Sequence, residues 1–217
     1  PNFRVKVLLT VRKSYLKKKY EFLSTFKGNG HTISGLNIVN TEGVKPSTEY
    51  IGLFGYLSGT VENLKIRGTS IGGGIAGYVA RAENTDVAIK DCVSYLDFNI
   101  DNNFASYIYL GGIVSLIYCG TIKNCTFEGR CNINCSKPIY FGGISGYTGA
   151  TSQSCIVDSC VNNGNITASG SGSHNIAGIA AYNFSKIKEC KNYGNLNGNS
   201  GVAGICCPGT TSATASI

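Results

Sequence analysis

Six copies of one short phrase recur along the chain: Gly52-Leu53-Phe54-Gly55-Tyr56, Gly74-Ile75-Ala76-Gly77-Tyr78, Gly112-Ile113-Val114-Ser115-Leu116, Gly143-Ile144-Ser145-Gly146-Tyr147, Gly178-Ile179-Ala180-Ala181-Tyr182 and Gly204-Ile205-Cys206-Cys207-Pro208. Recurrence at this period means stacked supersecondary units, none of which can bury its apolar face alone. The leading glycines are 22, 38, 31, 35 and 26 residues apart. A constant phrase at uneven steps predicts one fixed strand per unit, joined by loops of variable length.

A second signature follows most copies: Val61-Glu62-Asn63-Leu64, Ile89-Lys90-Asp91-Cys92, Ile122-Lys123-Asn124-Cys125, Val157-Asp158-Ser159-Cys160 and Ile187-Lys188-Glu189-Cys190. An aliphatic residue stands first, a polar one third, and Cys or Leu fourth. In an unbroken strand the first and fourth positions face opposite sides, so burying both requires a kink between them. A third element is Gly164-Asn165-Ile166 and Gly194-Asn195-Leu196, with weaker echoes at Gly129-Arg130-Cys131 and Gly68-Thr69. Asn and Gly suit such recurrent corners because they tolerate left-handed backbone angles.

No window shows a helical period, and β-branched and aromatic residues dominate between the glycines. Three short strands per unit without helices read as an all-β parallel solenoid of about six coils, a column roughly 30 Å long. Like stacks on like inside such a column, so Leu64, Cys92, Cys125, Cys160 and Cys190 are expected to form one interior row. The longest step predicts an excursion over Asp97–Tyr109. Residues 26–207 carry the repeats, 1–25 are expected to cap the first coil, and 208–217 read as a tail or linker.

The net charge of +7 is carried by the first 27 residues, which hold eight Lys and Arg against Glu21; the remainder is balanced at 11 of each sign. The basic run fits a solvated end segment better than a nucleic-acid site. Apolar runs fall short of the roughly 18 residues of a membrane span. With Pro at position 1 and no Met, the sequence reads as a processed chain or an excerpt.

The blocks Phe26-Lys27-Gly28-Asn29-Gly30-His31-Thr32-Ile33-Ser34-Gly35-Leu36-Asn37-Ile38 and Ile51-Gly52-Leu53-Phe54-Gly55-Tyr56-Leu57-Ser58-Gly59-Thr60-Val61-Glu62-Asn63-Leu64 resemble the GLUG-type repeats of bacterial and protist surface proteins. Those repeats also occur beside the catalytic domain of IgA-cleaving metallopeptidases. The resemblance extends over residues 26–207 and implies a right-handed parallel β-helix displayed outside the cell, adhesive or spacing in role. It carries no catalytic residues to transfer. The ten cysteines and the basic N-terminal segment depart from that family.

The repeat-phased cysteines suit small apolar core positions, whereas the others leave a disulfide possible in an extracellular setting. Zinc finds only the loose pair Cys131 and Cys135, so no metal or other cofactor is expected. His31 and His174 lie in Gly- and Ser-rich turns, and no HExxH motif is present. Carbohydrate-processing β-helix enzymes are the rival class. They need paired or clustered acids, and here the acids stand singly, Asp97 and Asp101 being the nearest pair. Tyr56, Tyr78, Tyr147 and Tyr182 share one repeat position, interrupted by Leu116. Facing outward they would form a stripe for sugar rings or a protein surface; covered, they would be core. The expectation is a non-catalytic extracellular or cell-surface module that adheres to a host or cell-surface protein or glycan. Its candidate contacts are the four tyrosines with Asp97 and Asp101. End-to-end self-association through exposed coil edges is an alternative.

Overall fold

The computed structural model describes residues 10–11, 21–40, 50–80, 87–101, 107–149 and 155–208. Among them the chain is an all-β parallel β-solenoid of about five turns, with no helix. Six copies of the phrase enclose five complete circuits, which accounts for the difference from six coils. Every strand pairing is parallel.

Four walls surround the core. Wall I is a ten-stranded sheet containing Thr10–Val11, Thr32–Asn40, Lys65–Ser70 and Val93–Ile100; in later coils it bends, as in Thr126–Phe127 with Arg130–Asn134. Wall II has four strands, Ile108–Gly111, Ile139–Gly142, Asn175–Ala177 and Val202–Ala203. Wall III holds the glycine phrases in strands such as Phe54–Leu57, Ala76–Val79, Val114–Ile117, Ser145–Thr148 and Ala180–Asn183. Wall IV holds Thr60–Glu62, Val87–Lys90, Gly120–Lys123, Cys155–Asp158 and Lys186–Lys188. The expected three strands per unit hold only for the coils up to Val93–Ile100. Wall II opens at Ile108, because the second coil passes that corner as Ile71-Gly72-Gly73, where a Cβ on Gly72 would meet the Ile51 side chain at 2.6 Å.

The corner between walls IV and I is built as the spacing of aliphatic and Cys or Leu requires. Asn63, Asp91, Asn124, Ser159 and Glu189 have φ of 54, 55, 51, 53 and 49°. One left-handed residue turns the chain, so the residue two before it and the residue after it both point inward. Val61, Ile89, Ile122, Val157, Cys92, Cys125 and Cys160 are fully buried, and Leu64 nearly so. Within wall I a second bend stacks Gly129, Gly164 and Gly194. A Cβ on Gly164 would lie 2.5 Å from the Gly129 carbonyl oxygen, and one on Gly194 2.0 Å from that of Gly164. Successive coils approach too closely there for any side chain.

The interior is one large cluster, with Ile38 and Ile51 a small separate one, and its largest members are Phe98, Phe127 and Phe141, with ring centroids 5.1–6.1 Å apart. The Leu64–Cys190 row lies within it, and all ten cysteines are free thiols. Their sulfurs donate to backbone carbonyls, Cys92 to Lys90 at 3.1 Å and Cys125 to Lys123 at 3.2 Å. Burial pushes the Cys131 thiol well up and that of Cys155 to about 12.

At the N-terminal end, strand pairing reaches further upstream than the repeats read from the sequence. Glu21–Phe22 already pairs with the wall III strand Phe54–Leu57, and Thr10–Val11 with the end of Thr32–Asn40. The column therefore starts upstream of residue 26, and part of the presumed cap is its first turn. At the other end wall III continues through Cys206–Pro208. Leu196, Ile205 and Cys206 are only half-buried there, and Val202 is 45% exposed.

Candidate binding surface

The four tyrosines named by the repeat do form one row. Register pairs Tyr56 with Tyr78, Tyr78 with Leu116, Leu116 with Tyr147 and Tyr147 with Tyr182. The residues beginning and ending the wall III strands Ala76–Val79, Val114–Ile117, Ser145–Thr148 and Ala180–Asn183 are buried, while the tyrosines are half-buried on the outer side. Leu116, only 7% exposed, interrupts the row of rings but not the surface. Tyr118, two residues further along the same coil, stands in for it, 5.3 Å from Tyr78 and 5.2 Å from Tyr147. Phe184 holds the matching place beside Tyr182 at 5.2 Å.

Facing this row is a second one that the sequence reading missed. Tyr109 and Tyr140 are in register in wall II, 4.9 Å apart. Tyr50 takes the equivalent place in the first coil: a Cβ on Gly77 would meet the Tyr50–Ile51 backbone at 2.4–2.5 Å, as one on Gly146 would meet Leu110 at 2.4 Å. The second glycine of the phrase lets walls II and III close on each other here. The contacts then run diagonally, each wall II tyrosine meeting the wall III tyrosine of the next coil: Tyr50 on Tyr78 at 4.0 Å, Tyr109 on Tyr147 at 5.2 Å, Tyr140 on Tyr182 at 5.4 Å. Tyr107 is 51% exposed and lies 5.7 Å from Tyr109 at the rim. The missed signal was present in the sequence, since Tyr109 and Tyr140 each stand three residues before the leading glycine of a phrase.

Within the wall III row the rings stack along the column. Tyr118–Tyr147 and Tyr147–Tyr182 have interplanar angles of 30 and 24°. Neighbouring rings therefore occupy one another's faces. Sugar rings stacking on those faces would have to displace that packing. Hydroxyls of Tyr50 and Tyr78 hydrogen-bond to each other, as do those of Tyr118 and Tyr147. Burial, reinforced by neighbouring phenols, raises the Tyr50, Tyr78, Tyr109 and Tyr140 hydroxyls above their ordinary value and lifts Tyr147 to about 12.

Asp97 and Asp101 do not join this surface. Asp97 lies inside the wall I strand Val93–Ile100, so the expected excursion begins only after that strand; residues 102–106 fall outside the described ones. The Arg130 guanidinium grips the Asp97 carboxylate, Nη2 to Oδ2 at 3.1 Å and Nε to Oδ1 at 3.4 Å, and the Arg130 backbone N–H adds a third bond at 3.2 Å. Asp101 is exposed. Four residues of extended chain separate it from Asp97, about 13 Å, beyond the roughly 5–9.5 Å of glycosidase carboxylate pairs. Other acids are tied up as well: Glu62 with Lys90 at 2.8 Å and Lys27 at 4.0 Å, Asp158 with Lys123 at 3.6 Å. The Lys90 ammonium holds the Glu62 carboxyl below its usual range.

The histidines are backbone fasteners. The His31 backbone N–H donates to Gly28 O at 2.8 Å, and the ring of fully buried His174 places Nε2 2.8 Å from Ser169 O. Among the described residues no three His, Cys, Asp or Glu side chains gather as a metal site.

No protein-family model and no curated protein matches this chain. One solved structure, described as a "putative immunoglobulin A1 protease" from Bacteroides ovatus, is similar with a TM-score of 0.45 and 17% identity, over 83% of this chain and 68% of that one.

Proposed function

We propose that this chain is a non-catalytic β-helix module of a secreted or surface-displayed protein, and that it adheres through the tyrosine corner between walls II and III. The observation that carries this reading is the continuity of the corner. Aromatic rings from every coil between Tyr50 and Tyr182 touch one another on a rigid parallel frame. Many weak contacts repeated along such a frame sum to useful affinity. On the opposing walls, Glu62, Asp158 and Asp97 are each held by Lys or Arg rather than gathered as a pair of free acids. The GLUG-type resemblance supports an extracellular setting and an adhesive or spacing role.

Beads coated with the module test the proposal against host or cell-surface preparations, in parallel with a turnover screen on uronic-acid polymers and neutral glycans. Adhesion is expected without turnover, and a Tyr109→Ala, Tyr147→Ala double variant is expected to adhere less. Polymer cleavage that disappears in Asp97→Ala or Asp101→Ala would replace this reading with an enzyme.

A further inference from the structure

We infer that the tyrosine corner takes an extended, neutral, hydroxyl-rich polysaccharide lying along the column axis, recognised by phenol hydroxyls and ring edges rather than by ring faces. The inference rests on the corner being the binding surface proposed above, and it names the ligand class. Three observations support it.

The first is ring orientation. Tyr78, Tyr118, Tyr147 and Tyr182 spend their faces on one another, with centroids 5.2–5.7 Å apart and interplanar angles of 24–33°. Sugar stacking on those faces would require breaking the ladder. Phenol hydroxyls beside those shared faces, such as those of Tyr56, Tyr109 and Tyr140, can instead both donate and accept. Sugar hydroxyls share that dual capacity, so one row can satisfy the other in either direction.

Charge is the second. From Tyr78 to Tyr182 the wall III row contains Tyr78, Leu116, Tyr147 and Tyr182, and the facing wall II row contains Tyr109, Tyr140 and Asn175. Neither has an ionisable charge at neutral pH. Burial and mutual repulsion of phenolates keep Tyr78, Tyr109 and Tyr147 protonated. Glu21 sits at the N-terminal end of the wall III row, in register with Tyr56. An uncharged surface bounded by a carboxylate favours a neutral polymer over a uronate, sulfate or nucleic-acid chain.

Shape is the third. Tyr56 to Tyr182 spans four rung steps, about 19 Å at roughly 4.8 Å each. The wall III row is in register at every one of these rungs. A linear polymer with a repeat close to the rung spacing meets equivalent contacts at successive coils, which a compact ligand cannot do.

The test uses the whole chain and a triple variant, Tyr56→Phe, Tyr109→Phe and Tyr140→Phe, which keeps the rings and removes three hydroxyls. Phe184 shows that a phenyl ring fits this ladder. Binding is measured by calorimetry with neutral β-linked oligosaccharides long enough to span four rungs and with an oligogalacturonate of equal length; the thermal midpoint is recorded for each protein. The expected result is binding of a neutral oligomer, weaker or absent binding of the uronate, and about a hundredfold loss in the variant at unchanged midpoint, three hydrogen bonds at about 1 kcal/mol each. Neutral binding that survives in the variant would overturn the inference, because the contact would then lie on ring faces or elsewhere. Preference for the uronate, or no binding to any oligomer, would overturn it as well. In that last case the adhesion assay separates the two readings: adhesion reduced by Tyr109→Ala and Tyr147→Ala leaves the corner as a binding surface for another partner. Should the triple variant have a lowered midpoint, Tyr56→Phe and Tyr140→Phe are assayed singly by the same criteria.

Discussion

At Glu189 the chain breaks its own rule for turning from wall IV into wall I. The same left-handed corner is occupied by Asn63, Asp91 and Asn124 in earlier coils, then by Ser159 and Glu189. Asn and Asp tolerate this backbone because a short polar side chain bonds locally; a longer side chain crowds the carbonyl, at roughly 1–2 kcal/mol. Glu189→Asn is therefore expected to stabilise the protein by about 1 kcal/mol, raising the thermal midpoint by about 2–4 °C for a chain of this size. Asn124→Ala should do the opposite, since it keeps the strained backbone and loses the bond from Asn124 Nδ2 to Asp91 Oδ1 at 3.2 Å. Calorimetric melts of both variants check the pair; an unchanged or lowered midpoint for Glu189→Asn would show that the corner is not strained. This corner was legible in the sequence. Two buried positions three residues apart demand a kink in a strand, and Asn at the intervening site named its conformation. Glu189 alone would not have revealed it.

On the scale of the element, the tyrosine corner couples packing to protonation. Phenols raised above their ordinary value favour the neutral form in the fold, so their contribution is fully present below the unfolded value of about 10. It is lost as pH rises through the folded values, about 12 for Tyr147 and higher for Tyr78 and Tyr109. Tyr78, Tyr109 and Tyr147 should therefore ionise together with loss of β-structure near or above pH 12, rather than one by one near pH 10. Phenolate absorbance and far-UV circular dichroism recorded on the same alkaline titration test this. Gradual ionisation of these three near pH 10 with the fold intact would contradict it. A Tyr78→Phe, Tyr147→Phe variant should retain structure to higher pH. Half of this surface was readable beforehand, because Tyr56, Tyr78, Tyr147 and Tyr182 repeat with the phrase. Tyr50 and Tyr118 were not readable, since each fills a place left by local spacing: Tyr50 precedes its phrase by one residue fewer than Tyr109 does, and Tyr118 compensates for Leu116.

Across the whole molecule, each coil touches chiefly its two neighbours, so stability is a sum of coil and interface terms rather than a property of one centre. The strongest interface lies between the coils contributing Phe98, Phe127 and Phe141, all fully buried and in mutual ring contact. The last coil has the weakest, with Leu196, Ile205 and Cys206 only half-buried and Tyr193 68% exposed. The phrase spacing made the stacking legible, but not this gradient. Which apolar residues meet across coils depends on wall II, and its strands begin only at Ile108. Phe141→Ala should cost about 3–5 kcal/mol, as for other buried aromatic deletions, because rigid parallel walls limit collapse into the cavity. Ile205→Ala at the half-buried end should cost about 1 kcal/mol or less, since part of its surface is already in water. Native-state hydrogen exchange should follow the same order, with amides of Val114–Ile117 and Ser145–Thr148 the slowest and those of Val202–Ala203 the fastest to open. Equal protection along the column, together with equal cost for the two substitutions, would mean that the solenoid unfolds as one cooperative block. Selective loss of protection in the last coil on Phe141→Ala would instead show coupling across coils that nearest-neighbour stacking does not provide.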